Sequence, residues 1–369
     1  MDRTQELLLQ RLSRALFGIP DNSPISDDVL SEAKEQTVSA LVTKDYQTIA
    51  QNIRVTEAHV ELTRLLGDIP FTTFKGYASA YYYPMPEKRT MGDVDFIVSP
   101  EYYRIAVDQM LRSGWKKVEE TQDRHETFRI RNVIFELHSE IKGIPNGIDG
   151  IRSKSLTAEA EVRNMLEDLI DTSITVETQH GPIRIPDEFH HGLIMLLHVA
   201  GHMLNNNGIG LRHLCDWAVY VHRVDLVQYR DKLEKIGLWT FACQLTAVSS
   251  AFLGLPKKPW AGEWPELFLE SFLNEFLSSG NFGRKNSGRK AVLILAESSY
   301  IEYVKTIIPI SREYPVFLPF AMVIAPFFYI YRIISGKSKL VKLSTVTEAR
   351  KRIALYDQFQ LFQAGNQRE

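Results

Sequence analysis

Between residues 67 and 142 short apolar runs alternate with helical patterns, whereas on both sides of that window the apolar residues recur at helical spacing throughout. A chain divided in this way can build only a small sheet, and must cover it with helices drawn from its two flanks. Inside the window, 70–74 reads as a strand, 76–83 as the helix that follows it, and 94–98 as a buried strand. Residues 100–113 read as a helix opened by proline, and 115–119 as a short strand. Residues 126–131 and 133–140 read as a hairpin turning near Arg131 and Asn132, with Phe128 and Ile130 on one face. The fold class expected is α+β: a small mixed β-sheet core embedded between an N-terminal helical segment and a large, mostly α-helical C-terminal region. The boundaries expected are 1–66, 67–150 and 151–369.

The flanks supply helices by their own patterns. Cap chemistry at 23–27 precedes a periodic run at 29–41, and 46–66 forms a long helix. Beyond residue 150 helices are expected at 156–170, 187–204, 210–223, 225–236, 240–253, 265–278, 289–308 and 345–362. A hairpin around His180-Gly181 interrupts them, and 280–288 is the one loose, basic loop.

Charge narrows the function. Forty-three lysines and arginines against 45 aspartates and glutamates leave a net charge of −2, so no global field favours long nucleic acid, and any anion must be met locally. Two cysteines, Cys215 and Cys243, form neither a disulfide framework nor a CxxC motif, which suits a reducing cytoplasm. The N-terminus reads as an amphipathic helix rather than a signal peptide. Residues 315–331 carry no charge, but Pro319 and Pro326 would break a membrane span. A buried or partner-facing helix pair is expected there, with a peripheral membrane contact as the alternative, since aromatic clusters beside Arg332, Lys337, Lys339 and Lys342 also suit an interface.

The chemistry concentrates in FKGYASAYYYPMPEKRTMGDVDFIV and in VIFELH some forty residues later. Asp93 and Asp95 alternate across a strand start, so both carboxylates share a face while Val94 points into the core. Two hard oxygen ligands side by side suit magnesium (or manganese), and Glu136, in an apolar strand between Phe135 and Leu137, is a costly charge unless a cation faces it. If its strand pairs beside the first, three carboxylates converge. Upstream, Gly76 opens a helix whose N–H groups suit an anion, and Lys75 and Arg89 add movable positive charge for a triphosphate. His138, two residues beyond Glu136, faces the same side and could touch substrate or orient Glu136. Seven of the ten histidines lie between 180 and 222; without a nearby thiolate or carboxylate they favour helix packing or substrate contact over zinc. Arg212 and Asp216 read most simply as a helix ion pair.

Lys75-Gly76, Tyr83-Pro84, Arg89, Gly92-Asp93-Val94-Asp95 and Glu136-Leu137-His138 together resemble the DNA polymerase beta-like nucleotidyltransferase superfold, and within it the bacterial uncharacterised nucleotidyltransferase family. The resemblance extends to the helical entry segment and to 208–220. It implies metal ligation and catalysis by Asp93, Asp95 and Glu136, and nucleotide binding by Lys75, Gly76, Ser79, Arg89 and Gly92. His138 and Arg212 are implied as weaker substrate contacts. Tyr77 follows Gly76 where relatives have glycine or serine, and sixteen residues separate Gly76 from Asp93, so phosphate contacts are expected to be rebuilt around Lys75, Ser79 and Arg89. The implied reaction is two-metal transfer of a nucleoside monophosphate from a nucleoside triphosphate to an unidentified small-molecule or protein acceptor. The alternatives are an Asp-x-Asp sugar-nucleotide glycosyltransferase and a non-catalytic nucleotide-binding or scaffold protein.

Overall fold

The structure is a computed structural model that describes residues 1–118, 125–144, 158–204, 209–279, 310–334 and 357–363, with residues 304, 308 and 355. Four helices come first: α1 (Arg3–Ala15), α2 (Asp27–Glu35), α3 (Ser39–Val42) and α4 (Tyr46–Leu66). Asp2 and Gln5 close a reciprocal capping box on α1, and Ser26 and Asp45 cap α2 and α4 through their side chains. The long α4 then delivers the chain to β1 (Phe71–Phe74), a short helix α5 (Gly76–Ala80) and β2 (Val94–Val98). Helix α6 (Tyr103–Arg112), entered through a 3₁₀ turn at Pro100–Tyr102, leads to β3 (Lys116–Lys117), β4 (His125–Ile130) and β5 (Val133–His138).

The five strands lie in the order β1-β2-β5-β4-β3, with β2 and β5 parallel and the other neighbours antiparallel. The mixed α+β sheet expected from sequence is therefore present, flanked by helices on both sides in the chain. Val94, Phe96, Phe135 and Leu137 face a core shared with α4 and α6. Arg131 and Asn132, both at positive φ, make the two-residue turn that joins β4 to β5. That handedness matches the twist of the strands it connects.

After the sheet come α7 (Ala158–Met165), the hairpin β6 (Ile174–Thr178) and β7 (Gly181–Ile185), α8 (Glu188–Leu204) and α9 (Leu211–Arg223). Thr73 Oγ1 donates to the Arg184 carbonyl at 2.7 Å, pinning the hairpin to β1. A larger core joins α1 to α3 with α8, α9, α11 (Trp239–Phe252) and α12 (Glu266–Ser279), around Trp217, Tyr220, Phe241 and Phe272. Between α9 and α11 lies α10 (Arg230–Lys235), preceded by a 3₁₀ turn that divides the single helix expected at 225–236. Glycines set the spacing around α8. A Cβ on Gly192 would lie 2.2 Å from the Tyr220 hydroxyl, and one on Gly201 would lie 2.9 Å from the Gly143 Cα. Gly143 itself, at φ 92°, sits against the Leu197 carbonyl.

Several boundaries differ from expectation. Helix α5 ends at Ala80, not residue 83, because Tyr81 to Tyr83 turn away so that the aromatic rings of Tyr82 and Tyr83 enter the larger core. The proline-broken pair expected at 315–331 is a 3₁₀ turn at Pro315–Phe317 followed by one helix that runs through Pro326 (Leu318–Ile334), preceded by a short helical turn at Ile310–Glu313. Pro319 falls in its first turn, where the missing N–H is no loss. Ala321 and Ala325 pack on Val304, whereas Phe320, Val323, Ile324, Phe327 and Tyr331 are exposed, so in place of the buried or partner-facing pair expected the segment is a single helix whose large side chains are not buried. Among the described residues no helix is long and apolar enough to cross a membrane. The loop at 280–288 and most of 289–308 and 345–362 lie outside the described residues.

Asn52, fully buried on α4, donates to the Glu87 carbonyl at 2.7 Å and accepts from the Met91 N–H at 2.8 Å, holding down the loop that runs into Asp93. Asn52→Ala leaves both backbone groups unpaired, a loss of about 3 kcal/mol. Thermal unfolding should show a midpoint several degrees lower, and an unchanged midpoint would contradict this anchoring.

Candidate active site

The turn after β1 sets the site. Lys75 (φ 60°) and Gly76 (φ 29°) adopt left-handed backbone in succession, and a Cβ on Gly76 would approach His59 Nε2 at 3.1 Å and the Asp93 carbonyl at 3.5 Å. Only glycine combines that φ with that space. His59 Nδ1 donates to the Val55 carbonyl at 2.8 Å, and burial pushes its pKa down to about 4, so a neutral imidazole packs beneath the turn.

The acids lie on adjacent strand ends. Asp95 and Glu136 are register partners across the parallel β2–β5 pair, so their side chains share a face, and Asp93 precedes the strand by one pleat. Asp95 is 2% exposed, and its Oδ1 accepts from Lys75 Nζ at 2.8 Å and from His138 Nε2 at 2.7 Å. Burial alone would raise its pKa, but Lys75 and His138 outweigh burial and hold the carboxyl well below the usual range. His138 Nε2 also lies 3.3 Å from Glu136 Oε2. Burial would lower its basicity, yet the bonds to Asp95 and Glu136 raise it. Asp93 behaves oppositely. Burial and then the charges of Asp95 and Glu136 push it up to about 6, with Lys75 only partly compensating.

Asp95, Glu136 and His138 can each turn a ligand atom to one point, these atoms lying within 4.8 Å of one another. Two hard carboxylates and an imidazole, with the half-buried Asp93 carboxyl beside them, fit a divalent cation. Among the described residues this is the candidate metal group, and the histidines of α8 and α9 do not form a second one. Instead His198 and His213 stack at 5.1 Å between ring centres, with His202 beside them. His190 points elsewhere, to Asp187 and the Met165 carbonyl.

Both cations expected to be movable are engaged. Lys75 holds Asp95, and Arg89 grips Asp216 through Nε at 3.0 Å and Nη2 at 2.6 Å. Arg89 Nη1 also reaches the Gly76 and Thr90 carbonyls, while the Tyr83 hydroxyl donates to Asp216 Oδ1 at 2.7 Å. Burial would raise Asp216, but Arg89 draws it down to about 2. The expected helix pair of Arg212 with Asp216 thus yields to a partner 127 positions earlier in the chain, and Arg212 Nη1 donates to the Thr90 carbonyl at 3.1 Å.

These groups line a cavity of about 480 Å³: Asp93, Asp95 and Glu136 with Lys75, Gly76, Ser79, Arg89 and Gly92 on the sheet side, and His191, His198, His202, Arg212, His213 and Asp216 on the helical side. A larger hollow of about 620 Å³ beside α1 has Asp21 as its single acid and lacks such a cluster. Every candidate residue except His138 lines the smaller cavity, and His138 sits directly behind Asp95 and Glu136. His59 carries no signal in the sequence, since on a helix face a histidine looks like any core residue, whereas His191 belongs to the histidine-rich stretch expected to serve helix packing or substrate contact. Asp216, expected to pair with Arg212, is held by Arg89 instead.

A model of the uncharacterised nucleotidyltransferase family matches residues 22–254, well over half of the chain. The chain belongs to that family. Its matched region holds the whole cavity lining, from Lys75 to Asp216. No curated protein and no solved structure matches the chain significantly.

The buried imidazoles of this family member make its stability pH-dependent. Burial holds His59 and His191 down at about 4 and His213 at about 3, against an ordinary 6.5. The unfolded chain therefore binds more protons as pH falls from 6.5 to 4, and stability is lost across that window. Asp93, with its raised pKa of about 6, acts in the opposite direction but is a single group. A melting series should show the midpoint falling between pH 6.5 and 4, and a flat or rising midpoint would rule out neutral buried imidazoles.

Proposed function

We propose that the protein is a magnesium-dependent (or manganese-dependent) nucleotidyltransferase that moves a nucleoside monophosphate from a nucleoside triphosphate to a small-molecule or protein hydroxyl. The observation that carries this reading is the convergence of Asp93, Asp95 and Glu136 on one face of β2 and β5, at the floor of a cavity sized for a nucleotide. Membership of the nucleotidyltransferase family supports it. The catalytic unit in this reading is 67–150, with 1–66 and 151–369 as helical flanks that complete the cavity.

Asp93, Asp95 and Glu136 would hold the divalent ions, which when bound lower the acceptor hydroxyl's pKa and offset charge on departing pyrophosphate. The chain supplies the remainder. Lys75, Gly76, Ser79, Arg89 and Gly92 line the triphosphate side, and Arg212 lines the opposite wall. His138, whose Nε2 lies 2.7 Å from Asp95 and 3.3 Å from Glu136, would orient both carboxylates or join them as a ligand. The acceptor oxygen bonds to the α-phosphorus in line with the bond to the bridging oxygen that breaks, and that oxygen leaves with pyrophosphate. Two buried, unpaired cysteines and the balanced charge suit a cytoplasmic enzyme acting on small substrates rather than long nucleic acid.

Asp93→Asn provides the test. It removes a carboxylate whose ionised form is disfavoured in the fold, so its melting midpoint at pH 7.5 should rise while metal-dependent pyrophosphate release falls by about 100-fold or more. Pyrophosphate release would be measured across a panel of nucleoside triphosphates with magnesium or manganese and candidate acceptors. Full turnover in the variant would sink the proposal.

A further inference from the structure

Asp95 Oδ1 accepts two hydrogen bonds, from Lys75 Nζ at 2.8 Å and His138 Nε2 at 2.7 Å, which occupy both lone pairs of that oxygen. Asp95 is also one of the three residues that a cation between Asp95, Glu136 and His138 would share. We propose that Lys75 is a built-in counter-ion on Asp95, that a divalent cation displaces it, and that the released ammonium then takes phosphate oxygens of the incoming nucleotide. The nucleotide half of this inference rests on the proposed function; the cation half rests on the carboxylate geometry.

Three observations single out Lys75. First, its charge is bound to this site: Nζ lies 2.8 Å from Asp95 Oδ1, in the cavity that Asp93 and Glu136 also line. A doubly charged ion on the same carboxylates replaces that attraction with repulsion at close range. Second, Lys75 can leave where Arg89 cannot. The Lys75 side chain is 26% exposed with one carboxylate partner, whereas Arg89 is 6% exposed and tied to Asp216, Gly76 and Thr90 together. Third, the left-handed backbone at Lys75, a conformation that a side-chain-bearing residue adopts at a cost, aims its stem across the end of β2, toward the cavity that Ser79 and Arg89 also line.

The experiment uses the full chain and Mn²⁺ without nucleotide, with free ion read by electron paramagnetic resonance. Lys75→Met should bind Mn²⁺ roughly tenfold more tightly than the parent, and Mn²⁺ should raise its melting midpoint by more than it raises the parent's. Lys75→Arg, which keeps the charge, should show no gain. With Ca²⁺ in place of Mg²⁺ to suppress turnover, ATP should bind Lys75→Met more weakly than the parent. Should Lys75→Met not fold, Lys75→Gln replaces it, since its amide still donates to Asp95 without a charge. Unchanged or weaker Mn²⁺ binding in the folded neutral variant overturns the counter-ion role, and undiminished ATP binding overturns the transfer to phosphate. A parent chain that turns over no nucleotide would defeat the proposed function, while the Mn²⁺ titrations would still decide the role of Lys75.

Discussion

The parallel pairing of β2 with β5 governs what the rest of the molecule must do. Strand side chains alternate, so a slip of one residue would send Asp95 or Glu136 into the core and Val94 or Phe135 into the cavity. A buried carboxylate with no partner costs several kcal/mol, about as much as burying one or two large apolar side chains gains, so the register is fixed from both faces. The β4–β5 turn at Arg131-Asn132 and the antiparallel β1–β2 pair then lock the strands on either side. With the acids aligned, the fold must supply compensating charge within hydrogen-bond reach. Lys75 provides it from the turn after β1, and His138 from the end of β5 itself.

A second interaction joins this sheet to the helices. The Arg89–Asp216 pair is buried, bidentate and reinforced by Tyr83, and it fastens the loop before Asp93 to α9. Such a pair adds little net stability, because desolvation consumes most of the Coulombic gain, but breaking it by removing one partner is costly. Its value here is positional. Through Nη1 the same guanidinium holds the Gly76 carbonyl, so the glycine turn, the acid strand and the helical wall meet at one side chain.

Local pattern made much of this readable in advance. Residues 94–98 alternate around a buried valine, Arg131-Asn132 interrupts two β-rich runs, and the long apolar periods of α4, α8 and α9 have no competing reading. The convergence of Asp93, Asp95 and Glu136 could be stated as a condition on strand order, and the strand order satisfies it. Long-range partners were not readable. Helical spacing offered Arg212 to Asp216, and only the folded chain brings Arg89 to it. Likewise nothing near His59 in sequence announces that its ring underlies Gly76, and the apolar run at 315–331 revealed its composition but not that its large side chains face outward while alanines face in.

Gly143 and Gly201 carry a different consequence. Where the chain leaves β5 it crosses α8 with backbone against backbone, Gly143 lying on the Leu197 carbonyl and Gly201 on Gly143. At these crossings no side chain intervenes that could be shortened to make room. The distance between the acid-bearing strand and the imidazole-lined wall is therefore a property of the main chain, like the gap of a fixed caliper. Changing what the cavity admits would require altering the chemistry of its walls, because its width cannot be tuned by trimming residues at those joints.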